Sequence, residues 1–181
     1  MTNVEEPRTT KGKTRGNTSI PAHASDPQAL QQFLKIKGNI WNLSNNHILD
    51  CGKEGLEDTI QLEKRNGCQV LGAGMNDNET INPVVLDRSV GIGMIAVCYK
   101  KMFAAGTEKP GVIHWKDCDR IRNVISEIKK DNRWCVRIVH AGEEFSALPM
   151  LCVRKQYLQY LKYETDIILL CRKITKRWEK K

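Results

Sequence analysis

"SVGIGMIAVCYKKM", residues 89–102, decides how the chain is read. Gly91-Ile92-Gly93-Met94-Ile95-Ala96 fits G-x-G-x-x-A, the pattern of a dinucleotide-binding turn. That turn needs a buried strand running directly into the first glycine. Here Val84-Val85-Leu86 is followed by Asp87-Arg88-Ser89, which interrupts the strand where the turn should begin. Asp87 or Ser89 reads instead as a helix cap. Apolar residues then occupy most faces from Val90 to Phe103, and Gly106 closes the element. The stretch predicts a buried helix over 89–105, with Gly91 and Gly93 allowing a neighbour to pack close. It predicts no cofactor.

The flanks complete the fold reading. Upstream, Ile60 and Leu62 alternate with polar residues, Asn66-Gly67 is a tight-turn pair, and Cys68-Gln69-Val70-Leu71 leads back, which predicts a β-hairpin. Further upstream, "SDPQALQQFLKIKG" reads as a short amphipathic helix, and residues 39–57 as a loop or short strand. Downstream, Val112–Trp115 is a strand. Residues 117–130 carry the stripe Ile121, Val124, Ile125 and Ile128 and predict a helix. Trp134, Val136 and Ile138 alternate with Arg133, Cys135 and Arg137, a half-exposed strand with arginines on one face. "FSALP" is placed to pair back, and residues from Met150 onward read as one or two helices. The expected class is α+β: a small antiparallel sheet with helices packed on one side and a helical C-terminus.

Residues 1–25 are polar and apolar-poor and predict a disordered basic arm, leaving 26–181 as a single globular domain. The seven cysteines are unpaired in pattern and several lie in apolar runs, which points to a reducing, cytoplasmic setting. The four histidines are scattered, so no metal site is expected. No apolar window reaches the length of a membrane span.

No nucleophile motif, phosphate loop or zinc-protease pattern is present, so the chain reads as non-enzymatic. Glu143-Glu144 read as solvated turn carboxylates, His114 as structural, and Cys135 and His140 as lying on opposite strand faces. Charge is the positive signal. The net charge is +8, and basic residues gather at both ends: Lys11, Lys13 and Arg15, then Arg172, Lys173, Lys176, Arg177, Lys180 and Lys181. With Arg133 and Arg137 on their strand, these predict contacts to nucleic acid, a ribonucleoprotein or an anionic membrane surface.

The order of basic arm, hairpin, buried helix ("DRSVGIGMIAVCYKKM"), turn ("AAGTEKPG") and strand ("VIHW") resembles the matrix proteins of rhabdoviruses, particularly the small basic ones of plant-infecting members. The likeness covers size, charge and element order over residues 1–116. It implies a non-enzymatic virion protein that self-associates and links ribonucleoprotein to a membrane. The P-P-x-Y and P-[ST]-A-P motifs of many relatives are missing. The alternative is a winged-helix module that binds nucleic acid or protein, with its wing at "RWCVRIVHAGEEFSALP".

Overall fold

The computed structural model describes residues 1–11, 23–29, 40–87, 89–131, 134–141, 150–162 and 165–171. The chain is a mixed α/β protein, but the expected small antiparallel sheet is not what forms. One sheet is wholly parallel, with order β1 (Thr2–Asn3), β2 (Ile40–Asn42), β3 (Gln69–Leu71). A second has order β5 (Val84–Asp87), β6 (Ile92–Cys98), β8 (Trp134–His140), β9 (Ile167–Cys171). Only β5 is antiparallel in it; β6, β8 and β9 run parallel. A small antiparallel pair joins β4 (Ala73–Gly74) to β7 (Gly111–Val112).

Three packed clusters set the layers. Ile40 and Leu71 of the first sheet meet Met94, Ala96, Val136 and Ile138 of the second, so the two sheets face one another. Outside the first lies α1 (Gly52–Arg65), whose Leu56 and Ile60 pack on Trp41. Outside the second lie α3 (Cys118–Asp131) and α4 (Leu151–Lys162), whose Ile121, Ile125, Val153 and Tyr160 pack on Ile95, Val97, Cys135 and Val139. A one-turn helix, α2 (Asp77–Thr80), is capped by the Asn76 side chain, which accepts from the Glu79 N–H at 3.0 Å.

The opening stretch is therefore a strand. Residues 92–98 are covered on both faces, by helices on one side and by a sheet on the other, so the run is apolar throughout, as buried parallel strands are. Gly91 turns into it at φ 69°. Gly93 does serve close packing, but from a strand: a Cβ there would lie 2.3 Å from Ile128 Cγ2 of α3.

Other expectations are corrected in the same way. The hairpin over 60–71 is the second half of α1 followed by β3. The apolar run Ile167–Leu170, read as helical, is the edge strand β9. Within residues 1–25, read as an arm, β1 pairs with β2, Val4 is buried, and the Asn45 side chain donates to the Val4 carbonyl at 2.6 Å, while residues 12–22 lie outside the described residues. Helix 117–130 and strand 134–138 form as expected, as α3 and β8. "FSALP" and most of "SDPQALQQFLKIKG" lie outside the described residues.

Candidate functional site

Parallel strands bring their carboxyl ends to one edge, and an open crevice at that edge is where α/β sheets place their ligand sites. In this chain both large sheets deliver polar side chains there. From β1 come Asn3 and the following Glu5 and Glu6; from β2, Asn42 and then Ser44, Asn45, Asn46 and His47; from β8, His140; from β9, Cys171. They touch across the sheets. The Asn42 amide donates to Asn3 Oδ1 at 2.8 Å and lies 3.8 Å from Cys171 Sγ. His140 Nε2 is 2.8 Å from Asn46 Oδ1 and 3.8 Å from Glu5 Oε1.

The turn after β2 is built by its own side chains. Asn42 Oδ1 accepts from Ser44 N–H and Asn45 Oδ1 from His47 N–H, so each asparagine fixes the backbone two residues on. That geometry aims His47 at Asp50, which is fully buried. His47 Nδ1 donates to Asp50 Oδ2 at 2.9 Å, and the same oxygen accepts from the His23 N–H at 2.9 Å. A carboxylate on Nδ1 fixes the ring and leaves Nε2 with the lone pair. The His23 ring sits edge-on to His47 at 4.5 Å, and its Nδ1 is 3.8 Å from Glu6 Oε2.

His140 is 6 % exposed, and burial holds it below the usual histidine range against the pull of Glu5. It is thus neutral at pH 7. With Nε2–H donating to Asn46, its buried Nδ1 has no hydrogen-bond partner among the described residues. Burial, with Glu5 nearby, raises the Cys171 thiol, so it is a poor nucleophile. Among the described residues no group of three or more His, Cys, Asp or Glu is placed to hold a metal ion. What the arrangement offers is acid–base chemistry: His47 oriented by Asp50, His140 buried beside it, and half-exposed carboxylates at the rim.

Of the basic residues singled out from the sequence, the two that are described, Lys11 and Arg137, lie away from this site. Lys11 is exposed and spends its charge on Glu54 at 3.5 Å and Asp58 at 3.4 Å. Arg137 is buried beneath α4 rather than half-exposed, because the face it shares with Cys135 and Val139 is the one the helices cover. Lys13, Arg15, Arg133, Arg172, Lys173, Lys176, Arg177, Lys180 and Lys181 lie outside the described residues, as do Glu143 and Glu144. The cluster that the sequence reading passed over is "NLSNNHILD", residues 42–50. Its signal was four polar amide and hydroxyl residues, then His and Asp, set among the apolar anchors Leu43 and Ile48, both fully buried.

Comparison with known proteins gives the chain a place. The sequence model of the family described as bacterial capsule synthesis protein PGA_cap matches residues 1–169. The chain is 29 % identical over 136 residues to the capsule biosynthesis protein CapA of Bacillus anthracis, covering 70 % of this chain and 33 % of that protein. It is 27 % identical over 129 residues to the PGA biosynthesis protein CapA of Bacillus subtilis, covering 69 % and 34 %. A probable polyglutamine synthesis accessory protein of Mycobacterium tuberculosis is 27 % identical over 119 residues, covering 62 % and 31 %. The chain thus spans about a third of the length of the curated relatives it matches. These matches overturn the resemblance to rhabdovirus matrix proteins, and with it the virion role; that likeness rested on element order, and two of the elements it used, the hairpin and the buried helix, do not form. The winged-helix alternative falls with the same helix. By its match over nearly its whole length, the chain belongs to the bacterial capsule synthesis family PGA_cap.

Proposed function

We propose that this chain carries the acid–base site of a protein serving capsule-polymer synthesis, and that it hydrolyses an amide bond in the polymer or its precursor. The observation that carries this reading is the Asp50–His47 pair set beside neutral His140 where the strand ends converge. His47 Nε2 takes a proton from the attacking water as its oxygen bonds to the acyl carbon, and returns it to the amine that leaves when the C–N bond breaks; Asp50 holds the imidazole and steadies its charged form, and His140 with Asn46 and Glu5 positions the reacting group. A positioned general base contributes on the order of 10²–10⁴ in rate.

The names of the relatives suggest the probes. Purified chain is incubated with polyglutamate and with polyglutamine, and chain length and new termini are followed by gel filtration and amine labelling. The expected result is a change in chain length that His47→Gln lowers by about 100-fold or more, that Asp50→Asn lowers strongly, and that Lys130→Ala on exposed α3 leaves alone. Polymer that binds the chain yet keeps its length would overturn the catalytic reading and leave a polymer-binding module, the reading its +8 charge favours.

A further inference from the structure

Behind the second sheet, on the face away from the histidines, Arg137 is 3 % exposed and yet has no carboxylate within ion-pair distance among the described residues. Its guanidinium lies over the Tyr160 ring at 3.9 Å, and its Nε has no hydrogen-bond partner among the described residues. Burial lowers its pKa, but a guanidinium does not give up its proton in a protein, so a full positive charge stays in the interior. A ring face offsets only part of that cost.

The same residue lines a cavity of about 270 Å³ between α3 and α4. Trp115 and Ile121 form an apolar wall; Arg122, Gln156 and Gln159 supply donors at its mouth. Tyr160 cannot compete for the anion, because its hydroxyl already donates to the Trp115 carbonyl at 2.6 Å. The room suits a small molecule, not a polymer.

We propose that this cavity binds a small organic monocarboxylate, its head on the Arg137 fork and its hydrocarbon part against Trp115 and Ile121. One buried cation matches one negative charge, and the planar fork matches a carboxylate. A doubly charged phosphate would bring more charge than the interior offsets, and an alkylamine would repel. The site is independent of the histidine cluster and stands whether or not that cluster is catalytic.

Titration calorimetry of the purified chain tests this with butyrate and benzoate, against butyramide and benzamide as uncharged isosteres, and against inorganic phosphate and butylamine. The expected result is binding of a carboxylate at least tenfold tighter than its amide, with no binding of butylamine. Arg137→Met should abolish the preference. Arg122→Ala, on the exposed helix surface and without risk to folding, should weaken the carboxylate several-fold. Equal binding of acid and amide, binding of phosphate alone, or no binding at all would overturn the proposal, as would an Arg122→Ala protein that binds as tightly as the parent.

Discussion

Each sheet–helix interface buries one arginine over an aromatic ring, and the two are resolved differently. Under α1, Arg8 lies 5.2 Å from the Trp41 ring centre and pairs with Glu63 at 3.2 Å, with Glu63 fully buried. Under α4, Arg137 lies over Tyr160 with no such carboxylate among the described residues, and a cavity opens beside it. A buried cation either draws its counter-ion from the chain or leaves space for one from outside. The first solution is not comfortable either. Burial outweighs the attraction of Arg8 and pushes the Glu63 carboxyl up to about 6.

The sharpest way to break the comparison is Arg8→Met. It strands Glu63 in the core, and removing one partner of a buried pair costs about 3–5 kcal/mol. Urea unfolding at pH 7.5 should show the loss, and most of it should vanish below pH 5, where Glu63 takes up a proton. In the parent chain, Glu63 titrates higher folded than unfolded, so the folded state holds the extra proton between the ordinary 4.5 and about 6. This group's contribution is complete below that window and declines by about 2 kcal/mol as pH rises through it.

Gly93→Val comes next. Its side chain would collide with Ile128 and push α3 from the sheet, costing about 1–3 kcal/mol by denaturant unfolding. It should also close or distort the cavity that α3 lines. Tyr160→Phe removes the hydrogen bond to the Trp115 carbonyl while keeping the ring under Arg137, and about 1 kcal/mol should go with it. Arg137→Met is expected to be the mildest, within about 1 kcal/mol of the parent or more stable, since an apolar side chain of similar length replaces a buried charge that has no carboxylate partner among the described residues. A large loss there, equal to that of Arg8→Met, would mean that the two arginines are resolved alike.

Legibility in the sequence followed the purity of the periodic signal. Helix α3 was plain because Ile121, Val124, Ile125 and Ile128 are its buried residues and nothing polar interrupts them. Helix α1 was hidden because its buried stripe includes Thr59 and Glu63 beside Leu56 and Ile60, so the apolar residues alone looked alternating. Asn66-Gly67 does turn the chain, but as the end of that helix. The run 92–98 has no periodicity at all, and a short apolar segment buried on every side does not distinguish strand from helix. The same ambiguity disguised β9. The candidate site was the least legible part. His47 and His140 stand far apart in sequence, and only the parallel alignment of β2 with β8 across two sheets brings their neighbourhoods together.

That parallel alignment also governs how fast the fold is reached. The pairings β1–β2, β2–β3, β6–β8 and β8–β9 each join segments roughly 30 to 40 residues apart, so none is closed by a local turn. Loop closure must be completed before any ladder contributes. Folding should therefore take milliseconds to seconds rather than microseconds. During synthesis, β1 must wait unpaired until residue 42 has left the ribosome, and β6 until residue 140, a period in which β5 is its strand partner and the face that α3 and α4 later cover stays open.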